Sequence, residues 1–183
     1  MFRIHSIVTL GAVVGVGGAA GAATLNVPGD HSTIQQAIVA AAPGDEIVVG
    51  PGVWLANLFL DGKAITVRSS GGAAVTTIDA DGFISGVTCN QGEGPDTVIE
   101  GFTIINGVGQ IMDFQGDPQL MGGGMLLDGA SPTVIDCVFE SNTAERGGGG
   151  VCVDSDATFN GCSFTNNVAR SGGAVYGMGD SEP

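Results

Sequence analysis

The sequence predicts an all-β solenoid of stacked parallel strands, opened by one short helix. Three observations carry that expectation. First, "CVFESNTAERGGGGVCV" (Cys137 to Val153) is written again as "CSFTNNVARSGGAVYG" (Cys162 to Gly177), with Cys, Phe and Asn recurring after 25 residues (162 − 137 = 25). Second, glycine reaches 33 of 183 residues while 43% of the chain is hydrophobic, which describes a folded chain with many turns rather than collagen or disorder. Third, helical periodicity occurs once, near the start, and every later apolar run is short and rich in β-branched or aromatic residues. A unit of about 25 residues is too small to bury its own apolar face and must stack on a neighbour.

The elements follow in order. "MFRIHSIVTLGAVVGVGGAAGAA" reads as a secretory signal over residues 1–23: Arg3 is the charged start, Ile7 to Val16 the apolar stretch, and Ala20-Gly21-Ala22 a small-residue cleavage site. A membrane anchor is disfavoured because the second half is Gly and Ala and no charged flank follows. The fingerprint-like Gly15 to Ala20 follows no strand and is discarded as a dinucleotide site. Residues 24–183 then form one domain, expected to be C-terminally incomplete because the sequence stops at "YGMGDSEP" without a second cap.

Within that domain Leu25 and Val27 make a short strand, and Pro28-Gly29-Asp30 a turn. Ser32 is the expected N-cap of a helix from Thr33 to Ala42, with Ile34, Ala37, Ile38 and Ala41 on its inner face. "EIVVGPGVW" reads as a strand broken at Gly50-Pro51-Gly52, and "ITVRSS" and "TTIDADG" as further strands. "DTVIEGFTIINGVG" (Asp96 to Gly109) aligns with "PTVIDCVFESNTAE" (Pro132 to Glu145) at a separation of 36 (132 − 96 = 36). The excess over 25 places an insertion of about ten residues in "QIMDFQGDPQLM", Gln110 to Met121.

In the repeats, Gly122 is aligned with Gly148 and Gly148 with Gly172. The two-residue period of a strand puts Cys137 with Phe139, and Cys162 with Phe164, on inward faces. It assigns Val151 and Val153 inward and Cys152 outward, with Tyr176 in the equivalent place. Asn142 and Asn167 belong at corners, where their amides bond each other or left-handed backbone. Cys137 and Cys162 stack as free inward thiols, since parallel Cβ vectors disfavour a disulfide; Cys89 and Cys152 complete the four cysteines.

Composition excludes several functions. With 19 acidic against 5 basic residues the net charge is −14, so nucleic acid is not a partner. The cysteine spacing fits no zinc pattern, and only His31 remains beyond the signal. Calcium is the one candidate cofactor, at Asp79-Ala80-Asp81-Gly82 or Asp154-Ser155-Asp156, though both stretches read first as turns in which Asp caps its own backbone. His31 reads as a turn histidine, Trp54 as packing or, alternatively, a sugar platform, and Arg146 and Arg170 as surface partners of Glu145 or nearby acids.

The chain resembles the right-handed parallel β-helix proteins of the pectate-lyase-like superfamily. "STIQQAIVAAAPGDEIVVGPGVW" is similar to their capping segment, and "FESN" and "FTNN" with "GGGV" and "GGAV" resemble the FxxN and GGA[ILV] elements of the polymorphic outer membrane proteins. The resemblance implies a right-handed parallel β-helix of roughly six coils, a rod about 30 Å long. It implies a surface or extracellular, adhesin-like module, reached through the cleaved signal, with a polysaccharide or another surface protein as candidate partner. The alternative is a carbohydrate-active enzyme related to pectate lyase. Neither the hydrolase nor the esterase motif set of that superfamily is present, and Lys63, Arg68, Arg146 and Arg170 stand in no lyase-like setting. No catalytic, cofactor or metal residue is therefore assigned, and function is expected in the non-repeating Gln110 to Met121 segment.

Overall fold

The computed structural model describes residues 21–179 apart from residue 115. The charged and apolar parts of the expected export signal, and the last four residues, lie outside them.

The chain opens with β1 (Thr24–Val27) and α1 (Ile34–Ala40), then visits three parallel sheets in rotation. The first circuit is β2 (Glu46–Val49), β3 (Gly52–Leu55) and β4 (Leu58–Phe59); the second is β5 (Thr66–Ser69), β6 (Thr76–Asp79) and β7 (Val87–Cys89). The third begins with β8 (Val98–Glu100) and β9 (Thr103–Ile105), passes through an inserted hairpin of β10 (Gln110–Phe114) and β11 (Asp117–Met121), and closes with β12 (Met125–Asp128). The fourth is β13 (Thr133–Ile135), β14 (Val138–Glu140) and β15 (Gly150–Val153), and the fifth β16 (Thr158–Asn160), β17 (Ser163–Thr165) and β18 (Val175–Met178). Each sheet takes one strand per circuit: β1-β2-β5-β8-β13-β16, β3-β6-β9-β14-β17 and β4-β7-β12-β15-β18. The hairpin is the antiparallel exception.

Equivalent residues therefore stack in columns. Ile47, Val67, Ile99, Val134 and Phe159 form the inner column of the first sheet. Trp54, Ile78, Ile104, Phe139 and Phe164 form that of the second. Leu58, Val87 and Met125 line the third. All but Trp54, Phe159 and Phe164 are buried. Phe139 and Phe164 stack at 5.0 Å and 7°, and Phe159 meets both edge-on.

Corners are made by residues in the left-handed region. Gly101, Asp136 and Gly161 turn the chain from the first sheet to the second, and Asp81, Asn106, Ser141 and Asn166 turn it beyond the second. At the following step Asn142 is fully buried: its Nδ2 donates to Ile104 O (2.9 Å) and Asn167 Oδ1 (3.1 Å), and its Oδ1 accepts from Gly107 N (2.9 Å). Asn167 repeats the pattern by donating to Phe139 O (2.8 Å). The two asparagines occupy corners as expected, bonded to each other and to backbone.

Three expected alignments shift by one residue. Gly122, Gly147 and Gly172 share left-handed φ, and Arg146 bridges Met121 and Ser171, so the glycine runs align at a separation of 25 throughout. Val98 pairs with Thr133, so the third and fourth circuits are offset by 35, not 36. Val151 faces Tyr176 while Cys152 faces Gly177 and Leu127, so Tyr176 is not the counterpart of Cys152. Val153 belongs to an outer cluster with Leu126 and Tyr176, whereas Leu127 belongs to the core, so the expected inward direction of Val153 is reversed; the directions expected of Val151 and Cys152 concern side chains outside those described. The reason in each case is the two-residue side-chain period: a slip of one would turn Val134 or Leu127 out of the core. Circuit length also departs from 25 in the first half, where β2 to β5 spans 20 residues (66 − 46) and β5 to β8 spans 32 (98 − 66).

The helix caps the first circuit. Its N-cap is Thr33 rather than Ser32, with Thr33 Oγ1 accepting from Gln36 N at 3.2 Å, and it ends at Ala40 rather than Ala42. Ile34, Ala37 and Ile38 point inward as expected, packed on β1, β2 and β4. Two residues beyond the helix secure its exit: Asp45, close by, and Lys63, 22 positions past Ala41. Asp45 accepts from Ala23 N (2.7 Å) and Ala42 N (2.8 Å), and these donors hold its carboxyl below the usual range. Lys63 Nζ donates to the carbonyls of Ile38 (2.7 Å), Val39 (2.7 Å) and Ala41 (3.0 Å), satisfying acceptors that the helix leaves open. Substituting Lys63→Met keeps the apolar stem and removes those bonds. It should cost about 1–2 kcal/mol, read as a fall in melting temperature of roughly 3–6 °C.

Candidate functional site

The inserted hairpin is the largest departure from the repeat, and its fit to the scaffold decides what it can present. Gly109 takes φ +81 where the chain leaves the corner, and a Cβ there would lie 2.6 Å from Met121 O, so only glycine allows the two hairpin ends to close. The hairpin covers the outer face of the third sheet. Met112 and Met121 pack with Leu126, Val153, Tyr176 and Met178 in a second apolar cluster, and Gln110 Nε2 bonds Thr88 Oγ1.

Its β11 edge is tied to the next circuit. Leu120 N donates to Glu145 Oε2 (3.0 Å), and Leu120 O accepts from the backbone N–H groups of Glu145 (2.8 Å) and Arg146 (3.1 Å). Arg146 reaches Gln119 Oε1 (2.6 Å) and Tyr176 OH (2.8 Å), its guanidinium 5.2 Å from the Tyr176 ring centre. Arg170 pairs with Glu145 at 3.3 Å, largely exposed, as the sequence suggests; such a pair is a minor stability term. The solvent side offers Ile111, Asp113, Asp117 and Pro118, all exposed. This face sets an apolar residue among two carboxylates.

A second concave feature runs beside the corner residues. Asp81, Asn106, Ser141 and Thr143 line an open groove of about 370 Å³ spanning three circuits. Asp79 Oδ1 accepts from Asp81 N (3.0 Å) and from Asn106 Nδ2 of the next circuit (2.9 Å), so this acidic stretch is a turn whose carboxylate caps its own backbone. Asp154 likewise takes φ +46, and Ser131 Oγ accepts from Asp156 N (2.9 Å). Among the described residues no group of three or more His, Cys, Asp or Glu side chains is placed to hold a metal ion.

The remaining candidates are dispersed. His31 sits in the turn before α1, its N–H on Asn26 O. Trp54 Nε1 donates to Gly50 O (3.0 Å), and the ring packs at the edge of the core. Glu93 escaped the sequence reading. It is 2% exposed, and its two oxygens accept from Gly62 N and Gln91 N, both at 2.9 Å, across a corner. Gln91 is two residues away but Gly62 is 31 residues away in the chain, and no local pattern marks that second partner.

Cys89, Cys137 and Cys162 are free thiols. Burial pushes Cys137 up to about 12 and raises Cys89 and, more exposed, Cys162, so the two buried thiols Cys89 and Cys137 are not nucleophiles at neutral pH. Relative to an ordinary thiol at 9.0, Cys137 holds roughly a thousandfold less thiolate. Alkylation of the native protein should therefore spare Cys89 and Cys137, and denaturant should release them. Intact mass reads both, and a Cys137–Cys162 bridge would appear as resistance to alkylation even when unfolded.

Residues 136–154 and 161–178 match the model of the Chlamydia polymorphic membrane protein repeat, about a fifth of the chain. Each matched segment starts at a first-corner residue, Asp136 or Gly161, and runs through a strand of the second sheet to one of the third. No curated protein and no solved structure matches the chain.

Proposed function

We propose that the chain is an exported, non-enzymatic surface module, adhesin-like in kind, located at the cell surface or outer membrane. The observation that carries this reading is the match of its two clearest repeats to a polymorphic membrane protein repeat. The rotation of the chain through three parallel sheets supports a right-handed parallel β-helix over residues 24–183, in the manner of the pectate-lyase-like superfamily, with residues 1–23 removed on export. In this reading the repeats are scaffold, and the hairpin from Gln110 to Met121 is what the scaffold displays to a polysaccharide or another surface protein. Protease treatment of intact cells producing the full chain tests it. The protein should be lost from intact cells, and its N-terminal sequence should begin near Thr24. Full protection in intact cells, with digestion only after lysis, contradicts it.

A second reading, a carbohydrate-active enzyme on acidic polysaccharide, would use the groove lined by Asp81, Asn106, Ser141 and Thr143. With an aspartate and, among the described residues, no cation in that lining, it requires calcium to bring in a uronate. Incubation with polygalacturonate and calcium decides it: unsaturated product, abolished by chelator, would replace the first reading.

A further inference from the structure

We propose that the crevice between α1 and β3 binds a single neutral pyranose ring. The argument begins with the cap. Helix α1 packs on β1, β2 and β4, covering the first and third sheets, while β3 is the edge strand of the second sheet. Trp54 is the first member of that sheet's inner column. It stands on Ile78, with no strand on its other side, and remains half-buried. The result is a crevice of about 220 Å³ lined by Trp54, Ile34 and Ala56, with Thr33, Gln35, Asn57 and the exposed Leu55 around it.

The lining selects the ligand. The indole is held by its bond to Gly50 O, so the ring is fixed before any ligand arrives. Asn57 Nδ2 is committed to Ala80 O and Ser85 O, but its Oδ1 has no protein partner among the described residues. Thr33 Oγ1 accepts from Gln36 N and keeps its proton to donate. Gln35 Nε2 spends one proton on Phe59 O and retains another. An aromatic wall beside one acceptor and two donors suits a ring with an apolar face and hydroxyl edges. The volume lies below the roughly 300 Å³ at which drug-sized sites begin, so one ring is the appropriate size. Among the described residues no cationic side chain lines the crevice, and the chain carries −14, so a neutral sugar is favoured over a uronate. The inference stands apart from the surface-module reading and does not depend on it.

Trp54 is the single tryptophan, so its emission reports the site directly. The full chain is titrated with the methyl glycosides of glucose, galactose and mannose, and with methyl galacturonoside. At least one neutral glycoside should give a saturable change in the millimolar range. Leu55→Arg, at an exposed position, should leave the melting temperature unchanged and weaken that response at least about tenfold by filling the crevice mouth. Any of three results overturns the proposal: no saturable response to a neutral ring, a response unaffected by Leu55→Arg, or tighter binding of the uronate.

Discussion

Phe139→Ala is expected to destabilise the protein by about 3–5 kcal/mol, the range for deleting a fully buried aromatic ring. Phe139 is 0% exposed and sits in the second sheet's inner column between Ile104 and Phe164, stacked on the latter at 5.0 Å. Phe159 closes on the pair from the first sheet at 6.2 Å. The cavity left by alanine would be bounded by neighbouring strands on both sides, whose backbone ladders restrict collapse. Phe164, in the equivalent position one circuit on, is only partly buried, so Phe164→Ala should cost distinctly less. Urea unfolding of both variants reads the difference. Equal costs would mean that the stacking order of the circuits is wrong.

Asn142→Ala is the second large effect, and it acts through polar groups. Alanine removes the acceptor of Gly107 N, the donor to Ile104 O and the side-chain donor to Asn167 Oδ1, which keeps only the backbone N–H of residue 142. Each buried group left without a partner costs about 1–3 kcal/mol, giving roughly 2–5 kcal/mol together. Water cannot easily rescue them, because the corner is tight: a Cβ at Gly107 would lie 1.9 Å from Gly123 O. Asn142→Asp tests the donor separately. The carboxylate still accepts from Gly107 N but cannot donate to Ile104 O, so it too should destabilise. Thermal unfolding above and below the carboxylate range checks that assignment.

The period was readable because two different letters marked it. Phe139 with Phe164 and Asn142 with Asn167 fix the separation at 25, and the structure pairs them so. The glycine runs misled by one residue for a physical reason. "GGGG" carries no side chains to distinguish one register from the next, and only left-handed φ at Gly122, Gly147 and Gly172 sets the alignment. The same ambiguity displaced Tyr176 onto Cys152 instead of Val151. The inserted segment was located correctly, yet it is an antiparallel hairpin, Gln110 pairing with Met121, rather than a plain loop. Its packing depends on Leu126 and Tyr176 from two other circuits, which no local pattern reveals. The Thr33 cap was missed by one position because Ser32 is equally competent in isolation. Lys63 and Glu93 could not be found at all, since their partners lie 22 to 31 residues away or across a corner.

The central claim is that the repeats stack in parallel, each circuit on the one before. Backbone nuclear Overhauser contacts in uniformly labelled protein test it most directly. Strong interstrand contacts are expected between Thr133 and Thr158, Val138 and Ser163, and Gly150 and Val175, each separated by 25 residues, with Val98 and Thr133 at 35. Antiparallel contacts between consecutive strands, such as β13 with β14 or β16 with β17, would mean hairpins in place of stacked circuits and would contradict the account.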